Sequence, residues 1–243
     1  MQGHKIPIKK MINKIIKMIA IIISSIILLA CLFDLQYSIL IGPFLDVLLL
    51  IGLTIIGLIF SLTTIPLNGF NKFHSYLPLA LIIVALAITF ALPQLSLGHY
   101  IHFCTNKSNL EFIDKESSNA GIFDFTDMLR YHKRLNKKYI SNNAMYKTPK
   151  NIKNAFGDYI KEQNLDLSEI INIQQKMIES NIISLNRIDD YLILTIDGFV
   201  DNEYGYVKSY NKELKEGDTL PPYGFVIVRL IKFKDGWYFF YTT

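Results

Sequence analysis

The sequence predicts a membrane protein with three N-terminal transmembrane helices and a small α+β domain, in which helices precede a four-stranded antiparallel sheet. Three long stretches contain no Asp, Glu, Lys or Arg: residues 18–33, 47–65 and 76–92. Beyond them, apolar residues first recur at helical spacing and then alternate with period two toward the C-terminus. The predicted organisation is a basic N-terminus at 1–17, a membrane part at 18–93, a connector at 94–123 and an exported domain at 124–243.

The three apolar stretches have the length and composition of membrane spans. A hydrocarbon core about 30 Å thick needs about 20 mostly apolar helical residues. Allowing for helix ends, we expect spans at about 15–33, 43–65 and 76–92. Gly42-Pro43 breaks the chain before the second span, and the third has Pro78 in its first turn and stops before Pro93.

The distribution of lysines predicts the orientation of the spans. Through residue 97 there are six lysines and two acids, and five of the lysines precede the first span; the sixth, Lys72, lies between the second and third spans. Short lysine-rich segments stay cytoplasmic. We therefore expect a multi-pass protein of the bacterial inner (plasma) membrane, with a cytoplasmic N-terminus and a periplasmic C-terminal domain.

The net charge of +4 comes from the lysines of the membrane part, so it does not indicate nucleic-acid binding. Residues 98–243 carry 19 basic and 19 acidic side chains, so the exported part is neutral. The expected partners are the lipid bilayer and another protein, with no nucleic acid.

Two features of the membrane part leave alternatives open. Leu28-Leu29-Ala30-Cys31 loosely resembles a lipoprotein cleavage box, so processing at Cys31 is an alternative to a retained first span. Asp46 is either an ion or proton site or an interfacial anchor in the first turn of the second span. The anchor is favoured because a helix N-terminus attracts negative charge.

Helical patterns dominate the first part of the exported domain. A helix is predicted over about 124–140, with Asp124 as its cap, and its basic face either is solvated or contacts an acidic surface. That face consists of Arg130, Lys133, Arg134, Lys137 and Lys138. Thr148-Pro149 opens a second helix, and Asp166 with Glu169 forms a capping box for a third that reaches about Asn181.

The C-terminal part predicts two hairpins, with strands at Tyr191–Ile196, Tyr204–Tyr210, Phe225–Lys234 and Trp237–Tyr241. Asp197-Gly198 and Asp235-Gly236 are the predicted turns. In the third strand, Phe225, Ile227, Arg229, Ile231 and Phe233 are predicted to share one face. The aromatics from Trp237 to Tyr241 are assigned to the core, with a ligand-binding cage as the alternative.

Catalytic motifs are missing from the sequence, which predicts a non-enzymatic protein without a cofactor. The nearest metal-ligand set is His99, His102 and Cys104, and a juxtamembrane role suits these residues better. An acidic group at Asp189, Asp190, Asp197, Asp201 and Glu203 suggests Ca²⁺ binding or acid–base chemistry, but it lacks EF-hand spacing and its Asp-Gly and Asp-Asn pairs suit turns. We therefore predict no catalytic, cofactor or metal residue.

Two segments of the tail, residues 197–206 (DGFVDNEYGY) and 235–240 (DGWYFF), resemble uncharacterised small bacterial proteins. Some members of that group are suspected immunity proteins for secreted toxins. The resemblance covers roughly the last 55 residues and implies no functional residue. It implies a membrane-anchored protein-binding domain acting as a toxin-immunity factor. The alternative is an accessory or assembly subunit of a bacterial envelope complex.

Overall fold

The computed structural model describes residues 8–42, 44–91, 97–120, 122, 124–126, 161, 166–199 and 202–243. It forms two compact units, residues 1–102 and residues 103–243. The predicted helix at Thr148-Pro149 and the basic face at 130–138 lie outside the described residues.

Unit 1 is a bundle of apolar helices. Its elements are α1 (Ile8–Leu32), α2 (Asp34–Ile41), α3 (Leu45–Asn68), a 3-10 turn (Phe73–Ser75) and α4 (Leu77–Phe90). In the described part of the chain, α1 and α3 are long and apolar enough to cross a membrane, whereas α4 has only 14 residues. Three full-length spans are therefore not found. Between the first two predicted spans the structure has a short helix, α2. It ends at Ile41 and is followed by Gly42, which has a φ of 96°.

Small residues let α1, α3 and α4 pack closely. Ala20, Ser24 and Ile27 of α1 are fully buried, and the Ser24 hydroxyl lies 3.4 Å from that of Ser61 on α3. A Cβ added at Gly57 would lie 2.9 Å from the Cδ1 atom of Ile27, so a larger residue would require this side chain to shift. The outer faces of the same helices expose large apolar side chains, including Ile22, Ile26, Leu29, Leu48, Ile51, Ile55, Ile59 and Leu62. Hydrocarbon tolerates such a surface, whereas water does not.

The predicted connector at 94–123 contains a helix, α5 (Leu97–Asn119), which the sequence pattern does not predict. Its buried side includes Phe103, Leu110 and Ile113 at helical spacing. The polar residues His99, His102 and Ser117 are buried on the same helix, and they conceal the apolar period in the sequence.

Unit 2 contains a curled antiparallel sheet of seven described strands in the order β1-β2-β3-β4-β7-β6-β5. The strands are β1 (Asp124–Thr126), β2 (Ser184–Ile188), β3 (Tyr191–Phe199), β4 (Asn202–Ser209), β5 (Thr219–Leu220), β6 (Phe225–Lys232) and β7 (Trp237–Thr242). The four predicted strands are present as β3, β4, β6 and β7. The predicted number is wrong because β1 and β5 are too short, and β2 too polar, to show a strand pattern.

The start of the first predicted helix in the domain is also wrong. Asp124 is not a helix cap, because Asp124–Thr126 pairs as β1 with Ser184–Asn186 of β2. The rest of that predicted helix lies outside the described residues. The third helix is confirmed as α6 (Leu167–Glu179), since the Asp166 carboxylate accepts a hydrogen bond from the Ser168 backbone N–H at 2.7 Å.

One of the two predicted hairpin turns is confirmed. Asp235 and Gly236 have φ angles of 60° and 78° and join β6 to β7, as the Asp-Gly signal requires. Asp197 and Gly198 instead lie inside β3, where the register shifts between Thr195 and Asp197. The bulge extends this strand past the expected turn.

A second bulge changes the faces of β6. The register shifts between Ile227 and Arg229, so Ile227 and Leu230 pack in one cluster while Arg229 is opposite Tyr241. The predicted sharing of one face by Ile227, Arg229 and Ile231 is therefore wrong. A bulge moves every later side chain of its strand to the opposite face.

The two faces of the sheet have different coverings. One face carries Ile193, Val207, Tyr238 and Phe240, and it is covered by Leu214 and Leu220 of the segment between β4 and β6. On the other face, Phe103 of α5 stacks on Phe233 with ring centroids 4.2 Å apart and contacts Tyr206 at 5.9 Å. Trp237 to Phe240 are buried, so the core assignment of these aromatics is confirmed.

Candidate functional site

The suggested metal ligands on α5 do not form a common site. His99 and His102 are buried on α5, whereas Cys104 is exposed. The Nδ1 atom of His99 lies 3.4 Å from the Asp34 carboxylate, and burial lowers the pKa of His102 to about 4. His102 is therefore neutral at neutral pH. Among the described residues, no three His, Cys, Asp or Glu side chains are arranged to hold a metal ion.

The acidic group of the C-terminal half is divided between the two ends of β3. Asp189 and Asp190 form the turn before β3, while Asp197 lies near its far end beside Glu203 of β4. Six residue steps of extended chain separate Tyr191, which follows the turn, from Asp197, which is about 20 Å. Asp201 lies outside the described residues. The described members therefore do not form a common site.

A cluster of charged side chains that sequence reasoning missed is centred on Asp114 of α5. Its two carboxylate oxygens accept hydrogen bonds from Arg187 at 2.8 Å and Lys208 at 2.7 Å, and the Tyr210 hydroxyl also donates to it. Arg187 donates in addition to the Ser117 hydroxyl at 2.9 Å. The cluster connects α5 with β2, with β4 and with the residue that follows β4.

The titration behaviour of the Asp114 cluster follows from these contacts. Burial alone would raise the pKa of Asp114, but the hydrogen bonds from Lys208, Tyr210 and Arg187 outweigh burial and hold it below 3.8. Burial, followed by the hydrogen bond to Asp114, raises the pKa of Tyr210 to about 12. At neutral pH, Asp114 is therefore ionised and Tyr210 keeps its proton. Because its hydrogen-bonding groups bind one another, this cluster serves to join elements.

A small, shallow groove lies on the other face of the sheet. It is lined by buried Ile193 and Phe240, by the prolines Pro221 and Pro222, and by Leu220, Tyr223 and Phe225, with Asn186, Glu203 and Thr242 as its polar residues. Most of the lining residues are therefore apolar, and only a few polar groups face the groove.

Glu203 is the ionisable group of this groove. Its carboxylate accepts a hydrogen bond from the Thr195 hydroxyl at 3.3 Å, and its backbone N–H donates to Thr242 at 3.0 Å. Burial raises the pKa of Glu203 above 4.5 despite the bond from Thr195. A basic or N–H-bearing group entering the groove would therefore be held by this half-buried carboxylate.

Exposed apolar and aromatic side chains adjoin the groove at the β6 edge of the sheet. Tyr223 is 72% exposed and contacts the ring of Phe225 at 5.4 Å. Val226 and Val228 are also exposed, and the Arg229 guanidinium lies 5.2 Å from the centre of the Tyr241 ring. We call Tyr223, Phe225, Val226, Val228 and Arg229 the β6 surface. Tyrosine and arginine are enriched at the energetic centres of protein interfaces.

Little in the sequence indicated either the groove or the Asp114 cluster. Glu203 was considered because it follows other acids, but its relevant neighbours are Thr195 and Thr242, from two other strands. Asp114 and Lys208 are 94 residues apart.

Comparison with protein-family models, with curated proteins and with solved structures gave no match. The resemblance of the tail to suspected immunity proteins therefore stays a prediction.

Proposed function

We propose that the chain is an integral inner-membrane protein of a bacterium that crosses the bilayer three times and presents a protein-binding unit in the periplasm. Its lysine-rich N-terminus stays in the cytoplasm. The observation that carries the proposal is the surface of unit 1: the outer faces of its helices expose apolar side chains along their length. Ile55 and Ile59 of α3, for example, are 55% and 58% exposed.

The position of α4 along the axis of the bundle supports a third crossing, although α4 has only 14 residues. Ser75, just before α4, accepts a hydrogen bond from Thr64, and Thr64 follows Ser61, which contacts Ser24 of α1. The start of α4 therefore lies near the level of Ala20, close to where the charge-free part of α1 begins. The 14 residues of α4 cover about 21 Å, and the charge-free stretch 18–33 of α1 covers about 24 Å. Both helices thus match the same apolar layer.

Within unit 2 we assign partner binding to the groove and the adjoining β6 surface. The groove offers an apolar lining and one half-buried carboxylate, Glu203, and the β6 surface adds Tyr223 at its rim. This combination suits a protein segment that inserts an apolar side chain next to a lysine or arginine. The role proposed for the complex is neutralisation of an incoming toxin, and no catalytic step is assigned to unit 2.

Site-specific photocrosslinking in the native membrane tests this assignment. A photoreactive residue replaces Tyr223 in the full chain, and the matched control carries it at Lys115, an exposed position on α5. Cells are exposed to secreted proteins of sibling strains and to products of neighbouring genes. We expect a crosslinked toxin from position 223 alone. Equal crosslinking from both positions would refute the proposed surface.

Toxin sensitivity tests the role itself. A strain without the gene should be killed by one of these toxins, and wild-type protein should restore growth, whereas the Glu203→Lys variant should not. A deletion strain that resists every neighbouring and sibling toxin would refute immunity. A stable membrane partner recovered with position 223 crosslinked to it would instead identify a subunit of an envelope complex.

A further inference from the structure

We propose that the lysine-bearing end of the bundle binds the headgroup of an anionic phospholipid in a notch beneath α4. This inference rests on the proposed membrane insertion of unit 1, and it is independent of the partner of unit 2. The notch lies between the first ten residues of α1 and the loop that joins α3 to α4.

The notch exists because α4 is shorter than its neighbours. The first residue of α4 lies near the level of Ala20, whereas α1 begins at Ile8, twelve residues earlier. At 1.5 Å per residue, α1 projects about 18 Å beyond the start of α4. The α3 helix accompanies it for only part of this distance, since Leu67, near its end, accepts a hydrogen bond from Asn13 at 3.1 Å.

The lysines of α1 lie on the face that borders this notch. Lys10, Lys14 and Lys17 follow i, i+4, i+7 spacing and therefore share one face of the helix. The same spacing continues through Ile21 to Leu28, which packs against the cluster that contains Ile82 and Ala85 of α4. Near Leu28, this face of α1 packs against the cluster that includes α4 residues. Beyond the start of α4, the same face of α1 carries the lysines.

The opposite face of the same segment is apolar. Ile8, Met11, Ile15 and Met18 are exposed, and this stripe continues to Leu29. The charge-free part of α1 begins at residue 18, and Lys10, Lys14 and Lys17 precede it by about 12, 6 and 2 Å. The lysines therefore lie at the depth of the inner headgroups, where an ammonium group needs an anionic partner.

No carboxylate of unit 1 supplies that partner. Its two acidic residues are Asp34, in α2 after the far end of α1, and Asp46, in the first turn of α3 at the same far end. The loop below α4 adds Lys72 and the exposed ring of Phe73, which is 86% exposed. Aromatic side chains favour the headgroup region, and lysines there attract anionic lipids. A phosphodiester headgroup from the same leaflet therefore completes the site.

Lipid titration of the full-length protein in mild detergent tests the proposal. In a micelle both ends of the protein are accessible to added lipid, so the result does not depend on the orientation in the membrane. Native mass spectrometry measures binding of phosphatidylglycerol and of phosphatidylcholine. We expect preferential binding of phosphatidylglycerol. Each lysine contributes about fivefold, so the K10Q/K14Q/K17Q variant should lose about a hundredfold in affinity.

A matched variant removes three cations from unit 2 instead: K115Q/K215Q/K234Q, all at exposed positions. It should bind phosphatidylglycerol as the wild type does. Equal loss in both variants, or no loss in the first, would overturn the site. Displacement of the lipid by inorganic phosphate at equal concentration would also overturn it, because a free anion would then be the ligand. Fluorescence of Trp237, the single tryptophan, verifies that unit 2 of each variant is folded.

Discussion

Replacing Asp114 by alanine tests the proposed joining role of the charged cluster in unit 2. The substitution removes three side-chain hydrogen bonds and leaves two cations, Arg187 and Lys208, with side chains only 15% and 21% exposed. Breaking a buried ion pair by removing one partner costs about 3–5 kcal/mol. Because these groups retain some contact with water, we expect the lower end, about 3 kcal/mol.

Urea unfolding of the full-length protein in detergent measures this change through Trp237, which is buried and lies 5.4 Å from the Lys208 ammonium group. With an m-value of about 2 kcal/mol/M, the midpoint for unit 2 should fall by about 1.5 M. Glu213→Gln is the control, since it removes an ion pair with Lys232 in which both side chains are 62% exposed. Its expected effect on the midpoint is much smaller, because an exposed ion pair contributes little to stability.

The pH dependence supplies a second check on the same cluster. The folded pKa of Asp114 lies below its ordinary value of 3.8, so its stabilisation is fully present above that value. It is lost as the pH falls through the folded pKa. The difference between wild type and Asp114→Ala should therefore be constant from about pH 5 to 8 and decrease below pH 3.8. A midpoint shift no larger than that of Glu213→Gln would refute the reasoning.

Three further predictions follow from single contacts. Phe103→Ala removes a buried ring stacked on Phe233 and should destabilise unit 2 by about 3–4 kcal/mol in the same urea assay; Phe103→Leu should cost less. Gly57→Leu should lower the thermal midpoint of the bundle in detergent, measured by circular dichroism, because even a Cβ would lie 2.9 Å from Ile27; an unchanged midpoint would contradict the packing. Since burial raises the folded pKa of Glu203, its contribution favours folding below pH 4.5 and is lost as the pH rises through the folded pKa. Glu203→Gln should therefore be more stable than the wild type at pH 7 and lose that advantage near pH 4; the opposite trend would contradict it.

The apolar helices of unit 1 and the last hairpin could be predicted because their signals are local. Long uncharged stretches predict apolar helices, and Asp235-Gly236 takes the positive φ angles of a tight hairpin. The error at α4 is one of length, because the charge-free stretch 76–92 is longer than the helix Leu77–Phe90.

The remaining errors have a common physical origin in contacts distant along the chain. The period of α5 was hidden because His99, His102 and Ser117 are buried beside apolar residues, a pattern that only tertiary contacts explain. Two bulges, in β3 and β6, changed a predicted turn and a predicted face. The groove with Glu203 required six strands and a loop to be brought together, which no local pattern encodes.

The central claim, a cytoplasmic lysine-rich end and an exported unit 2, is tested most directly by thiol labelling in intact spheroplasts. Of the two cysteines, Cys104 is exposed on α5 and Cys31 is buried in the bundle. We expect a membrane-impermeant maleimide to label Cys104 without permeabilisation. In a Cys104→Ser background, Lys72→Cys should react only after the membrane is opened. Labelling of Cys104 only after permeabilisation would contradict the orientation and the proposed location of the binding surface.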